Sequence, residues 1–297
     1  MSIRRGLSAN AFLGPFVTLY IVFVLAPIVL SIGLSLTRWN GIAAPEFVGV
    51  DNYGRALAST GFFRPFVNLL VYVALTVPLG IIVALGLALL VDRFSGAWSS
   101  VFRSALFFPF IVPLFLTAAI WRWMYTPDVG LIDQLLGGLG IKTTGWLTTS
   151  ALMIPALVIV DVWHSAGFNM ILLLAGLKAV PREMLEAARV DGAGTIAEVR
   201  YIVLPQVFPV LFIVIVNGLI SALQTFDLPW LLTQSTFRGS VGGPQGGLLF
   251  PVMQMASQGL GSLQFGPASV IAVVLLTLIA MLTAVLFGVR RLAGTAD

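Results

Sequence analysis

The 297-residue chain has no cysteine and a single histidine. No disulfide framework can form, thiolate metal and redox sites are excluded, and a lone imidazole leaves metal chemistry without its usual ligands. Charge is almost as scarce, with 9% of residues charged against roughly one quarter in an ordinary soluble domain. The chain is instead 59% hydrophobic, with a mean hydropathy of +1.02, which is the composition of an integral membrane protein. A phosphate-cradling loop is also missing, because such a loop needs Lys directly after Gly and then Ser or Thr. The nearest string, Gly137-Gly138-Leu139-Gly140-Ile141-Lys142-Thr143, inserts Ile141 between glycine and lysine, so the chain does not hydrolyse ATP by this route.

Long uncharged runs fill the chain, and a helix needs roughly 20 apolar residues to cross the hydrocarbon core. The spacing of charges predicts an all-α polytopic protein of one domain, 1–297, with six spans. They fall within Gly6 to Thr37, within Pro65 to Val91, between Arg103 and Arg122 with a few residues beyond, from about Thr149 to Leu177, from about Pro205 to Leu228, and from about Pro267 to Val289. The first run is longer than a signal peptide's apolar region and lacks a small-residue cleavage site after it, so it is expected to stay as a span. Six spans put both termini and the loops 92–103 and 178–200 on one side. That side holds Arg4, Arg5, Arg93, Arg103, Lys178, Arg182, Arg189, Arg200, Arg290 and Arg291, ten of the sixteen basic residues. The positive-inside bias therefore places the termini in the cytoplasm. The net charge of +4 reports orientation and gives no sign of nucleic-acid binding.

The segment 178–205 is charged and lies between two apolar runs. Pro181 suits a first helical turn, Gly192 a carboxy-terminal cap, and Arg182 and Glu186 share a face at a spacing of four. Ala187, Ala188 and Ala193 leave little bulk, so a partner surface could approach the backbone. Gly192 and Gly194 permit a sharp turn into a second short helix ending at Leu204-Pro205. The same pattern also fits a plain solvated loop.

Polar residues inside spans mark a candidate path, since they normally face a bundle interior. Asn217, Ser221 and Gln224 fall at spacings of four and three on the fifth span. Asp161, His164 and Phe168 share a face of the fourth, with Trp163 and Asn169 close by. Amides and carboxylates bond sugar hydroxyls while aromatic faces pack on ring faces. Interhelical hydrogen bonding is the competing reading of these residues, and Asp161 and His164 fit a mutual pair. Asp227, near a boundary, reads as a cap or subunit contact. Trp121, Trp123 and Trp146 read as interfacial anchors. The segment 229–266, rich in Gly and Gln and nearly uncharged, is expected to be irregular with short helices over the pore mouth.

Glu186-Ala187-Ala188, then Asp191-Gly192-Ala193, Ile202, Leu204-Pro205 and Pro209 resemble the EAA loop of binding-protein-dependent ABC importer permeases. The likeness is to the carbohydrate-uptake branch that includes the maltose and glycerol-3-phosphate permeases. Arg103 to Pro113 with Phe107 and Pro109, Trp121-Arg122-Trp123 through Asp128, Gly130 and Leu131, Phe226-Asp227, and Gly242-Gly243-Pro244 are similar to other parts of that family. Ile196, Val199 and Gly194 depart from it, where bulky aromatics and a serine are common. The resemblance implies a bacterial inner-membrane permease subunit in which the loop is a coupling helix seated on an ATPase, with Glu186 in the contact and Gly192 allowing the bend. It further implies a second homologous permease, two ABC ATPase subunits that use ATP and Mg, and an extracytoplasmic solute-binding protein docked on the external loops 38–64 and 228–267. It implies that this chain itself binds no cofactor. A sugar or oligosaccharide is the expected cargo, with glycerol-3-phosphate or another small polar solute as an alternative. A proton-coupled carrier using Asp161 and His164, or an enzyme acting on lipid-linked substrates, would fit less of the chain, which has no internal repeat and no clustered acids and bases.

Overall fold

The structure, a computed structural model, describes residues 13–141, 145–235 and 239–293. Lys142 and Thr143 of the glycine-rich string, like Arg4 and Arg5, lie outside the described residues. In chain order the elements are α1 (Leu13–Ser35), a ribbon of β1 (Thr37–Arg38) and β2 (Glu46–Phe47), α2 (Asp51–Ala58), α3 (Arg64–Asp92), α4 (Gly96–Ile111), α5 (Leu114–Met124), α6 (Leu131–Gly138), α7 (Ser150–Lys178), α8 (Arg182–Val190), α9 (Thr195–Leu223), α10 (Asp227–Thr233), α11 (Pro251–Ala256) and α12 (Phe265–Ala293).

Five of these helices, α1, α3, α7, α9 and α12, are each long and apolar enough to cross a bilayer alone. The third expected span is different: α4 and α5 meet at a bend of 93°, so six crossings are reached only if this bent pair counts as one. Proline explains the break. Pro113 has no N–H to continue the helix, and Val112 before it is driven to extended angles (φ −68°, ψ 126°).

Two further boundaries differ from the sequence reading. The second helix of the charged loop is not a separate piece ending at Pro205, because α9 runs unbroken from Thr195 to Leu223. The missing N–H of Pro205 is absorbed by a π-turn at Val199–Val203, where Glu198, Val199, Val203 and Leu204 all keep right-handed helical angles. At its other end α9 stops at Leu223; Gln224 is its non-helical cap and Asp227 opens the separate helix α10.

Apolar packing forms two clusters along the bundle. One gathers Leu69 and Tyr72 of α3, Met153 to Val162 of α7, Leu223 of α9, Leu248, Phe250 and Met253 of the long loop, and Ile271 of α12. The other gathers Ala84, Ala88 and Val91 of α3, Met170 to Leu177 of α7, and Val203, Val207 and Val214 of α9, at the end that carries the charged loop. The segment 229–266 therefore does more than lie over the bundle: Leu248, Phe250 and Met253 are fully buried, Phe250 packs on Tyr72 at 5.4 Å between ring centres, and Asn68 Nδ2 donates to the carbonyls of Gly246 and Leu249 at 3.0 Å each. At the same end, buried Asn52 of α2 donates to the carbonyls of Ser35 and Thr37 at 2.8 Å, pairing the last carbonyl of α1 and that of Thr37 in β1.

Close approach of α4 to α7 depends on Gly167, where a Cβ would overlap the backbone carbonyl of Leu106. Replacing Gly167 by Val is expected to cost about 1–3 kcal/mol or more through forced displacement of the backbone, seen as a lowered Tm of the detergent-solubilised chain. Gly218→Ala is the matched control, since a Cβ there meets only Val77 Cγ1 at 4.0 Å.

Candidate functional site

Between the two apolar clusters, α3, α7 and α9 each present a stretch of polar or small residues at the same level of the bundle. Tyr72, Thr76 and Gly80 come from α3, Asp161, His164, Ser165, Phe168 and Asn169 from α7, and Asn217, Gly218 and Ser221 from α9. With Phe110 and Leu114 from the two sides of the helix break, and Gln224 to Leu228 beyond α9, they enclose a cavity of about 470 Å³. That volume suits a small polar solute or one or two sugar rings. One wall is aromatic: Phe110 and Phe168 stack at 4.6 Å with an interplanar angle of 15°, and the His164 ring lies 5.7 Å from Phe110. The rest offers amide, hydroxyl and carboxylate groups. Two aspartates, Asp161 and Asp227, line the cavity, and among the described residues neither lysine nor arginine does.

His164 joins the cavity to the broken helix. Its Nε2 lies 3.2 Å from the carbonyl oxygen of Val112, which can only accept, so Nε2–H is the donor. A carbonyl released by the break inside an apolar span is costly unless paired, and the imidazole supplies the partner. Asp161 faces the same cavity as the Tyr72 hydroxyl of α3. No direct ion pair joins Asp161 to His164 among the described residues, and the His164 Nε2–H is taken by the Val112 carbonyl instead.

Of the residues singled out in the sequence, Asn217, Ser221, Gln224, Asp161, His164, Phe168 and Asn169 meet at this cavity. Trp163 does not: its ring turns outward and packs edge-on against Trp121 at 5.6 Å. The sequence reading treated Asp227 as a cap or contact, whereas it lines the cavity from the start of α10. Trp121, read as an interfacial anchor, is 7% exposed and belongs to the core, while Trp123 at 60% is open. Tyr72 and Thr76 were overlooked, although two hydroxyls four residues apart in an uncharged span are the same signal used for α9. Phe110 and Leu114 carry no such signal, because only the bend brings them to the site.

At the opposite end of α9 the charged loop is built as its glycine requires. Gly192 takes φ +82°, Ala193 N–H bonds to the Ala188 carbonyl at 2.9 Å and Gly192 N–H to that of Arg189 at 3.1 Å, the paired bonds of a left-handed helix end. Glu186, Ala187, Asp191, Gly192 and Pro205 are exposed; Ala188, Ala193 and Leu204 are half-buried. Arg182 and Glu186 form no ion pair among the described residues. Arg189 instead reaches across the turn to Glu198.

Comparison with known proteins places this geometry among transporters. A family model described as "Binding-protein-dependent transport system inner membrane component" matches residues 76–291. The probable ABC transporter permease protein PH1215 of Pyrococcus horikoshii is 32% identical over 268 residues, 89% of each chain. The trehalose/maltose transport system permease protein MalF of Thermococcus litoralis is 32% identical over 279 residues, 93% of this chain and 91% of that one. The diacetylchitobiose uptake system permease protein NgcF of Streptomyces coelicolor is 30% identical over 299 residues, 97% and 83% of the two chains. In fold, a chain of a bacterial ABC transporter involved in the import of the acidic polysaccharide alginate superimposes with a TM-score of 0.82 at 21% identity, covering 98% of this chain and 97% of that one.

The His164 contact has a measurable consequence. His164→Leu leaves the Val112 carbonyl without its donor and is expected to destabilise the detergent-solubilised chain by about 1–3 kcal/mol, whereas His164→Gln, which keeps an N–H donor, retains more of the original Tm. Equal Tm values for wild type and His164→Leu would show that the break does not rely on the imidazole.

Proposed function

Because the chain belongs to the family of binding-protein-dependent transport system inner membrane components, we propose that the cavity between α3, α7 and α9 is its half of the path by which a sugar or oligosaccharide is imported. The observation that carries this reading is the pairing of an aromatic wall, Phe110 on Phe168, with amides at Asn169, Asn217 and Gln224 in one cavity. Such a site holds ring faces by stacking and hydroxyls by hydrogen bonds without a fixed cation. The names of two relatives, a trehalose/maltose and a diacetylchitobiose permease, support the cargo class.

In this reading the chain is a non-catalytic permease in the bacterial inner membrane with its termini in the cytoplasm. A second homologous permease completes the path. Two ABC ATPase subunits, using ATP and Mg, seat against α8 through Glu186, Ala187 and Ala188, with Asp191, Gly192 and Ala193 forming the turn. A solute-binding protein delivers cargo at the far end, against loops 38–64 and 228–267; one solved relative is an alginate ABC transporter in complex with an alginate pentasaccharide-bound periplasmic protein. ATP-driven closure of the ATPases then moves the two permeases between inward-facing and outward-facing states.

Mild-detergent purification of the chain from its host, with identification of every co-purifying protein, tests the assembly. Recovery of an ATPase and a second permease is expected; a chain that remains alone would overturn the reading. For the cavity, Asn217→Leu and Gln224→Leu are each expected to reduce uptake of the identified sugar by about tenfold, one to two lost hydrogen bonds, while the ATPase still co-purifies. Unchanged uptake in both would make the α9 residues packing only. Glu186→Lys reverses the charge at the ATPase contact and is expected to lower ATP-driven uptake with the spans still folded, which normal uptake and assembly would contradict.

A further inference from the structure

The turn between α8 and α9 is short, residues 191–194; α8 is anchored only by half-buried Leu185 on the apolar cluster, and neither α8 nor the first turn of α9 fully buries a side chain. Left to backbone preference, Gly192 and Gly194 would allow a range of loop shapes. Among the described residues, two side-chain contacts cross between the helices: a weak one from Gln206 Nε2 to Met184 Sδ at 3.7 Å, and a charged one at the turn itself. Arg189 Nε donates to Glu198 Oε2 at 2.9 Å and Arg189 Nη2 to Glu198 Oε1 at 2.8 Å, two parallel bonds from one guanidinium to one carboxylate. A fork of this kind fixes orientation as well as distance, which a single ammonium contact cannot do. Glu198 is the more sheltered partner, 14% exposed against 61% for Arg189, so its end of the pair is held by α9. Arg93, just beyond α3, adds to the positive field at Glu198, and Glu186 adds to the negative field at Arg189.

Beside the two clamped residues stand two large apolar side chains turned to solvent, Val190 at 87% and Ile196 at 85% exposure. In a loop otherwise carrying Arg182, Glu183, Glu186, Arg189 and Asp191, these two side chains are where a partner surface would gain most by burial. We propose that the Arg189–Glu198 pair is the positioning element that sets the angle between α8 and α9, and that it thereby presents Val190 and Ile196 as one apolar contact face to the ATPase subunit. This rests on the importer reading and adds to it residues outside the Glu186-Ala187-Ala188 segment. Neither Arg189 nor Glu198 needs to touch the ATPase; the pair acts through the shape it imposes.

The test uses the whole transporter, reconstituted with its partner permease and ATPases, and measures substrate-stimulated ATP hydrolysis and uptake. Arg189→Glu and Glu198→Arg each replace attraction by repulsion, and each is expected to lower coupled hydrolysis by about three- to tenfold, the range open to an exposed pair turned repulsive. The double swap, Arg189→Glu with Glu198→Arg, is expected to recover to within about twofold of wild type. Arg189→Lys recovers less, because an ammonium lacks the fork. Val190→Asp and Ile196→Asp lower coupling with the pair intact. Single reversals without effect, or a double swap as poor as either single, would overturn the positioning role. A wild-type chain that binds no ATPase would instead overturn the importer reading, and this proposal with it.

Discussion

In hydrocarbon no water is available to a carbonyl or N–H that loses its helical partner, and each such group costs several kcal/mol. The bend at Val112 and Pro113 is tolerated because α7 passes close enough for His164 to donate to the Val112 carbonyl, and α7 passes that close because Gly167 has no side chain to hold α4 away. The bend in turn brings Phe110 and Leu114 to the cavity. Aromatic wall, histidine and broken span are therefore one construction.

The same constraint operates at the rim. Asn52 pairs the last carbonyl of α1 and that of Thr37 in β1, and Asn68 holds the loop that sends Phe250 and Met253 into the core. Buried polar side chains here serve free backbone ends. That explains why the bundle can combine long apolar helices with an irregular 229–266 segment and still leave a defined cavity between two packed clusters.

Most of the architecture was legible in the sequence because charge is so rare. Arg64 and Asp92 bracket α3, and Lys178 closes α7, so the limits of those helices follow from solvation alone. The α9 polar stripe was legible from its spacing, and the cap at Gly192 from the need for positive φ. The bend between α4 and α5 was less so: Pro113 was visible, but a proline within an apolar run can kink a helix mildly or turn it by 93°, and the outcome depends on whether another helix can serve the freed carbonyl. The exclusion of Trp163 and the inclusion of Asp227 were also out of reach, since the first depends on packing against Trp121 of α5 and the second on α9 ending at Leu223. The Arg189–Glu198 pair spans nine residues and a turn, beyond the spacing of four at which helical pairs are read.

The unbroken course of α9 has a mechanical meaning. Its 29 residues make a rod of about 43 Å, with Glu198 near one end and Asn217 and Ser221 near the other. Around the π-turn at Val199–Val203, Glu198, Val199, Val203 and Leu204 keep right-handed helical angles, so the helix carries through Pro205. Force applied at the charged loop therefore tilts the wall of the cavity directly. A tilt of about 10° about the midpoint of such a rod displaces each end by about 4 Å, comparable to the reach of a hydrogen bond. Where the loop stands and how wide the cavity opens are, along this helix, a single coordinate.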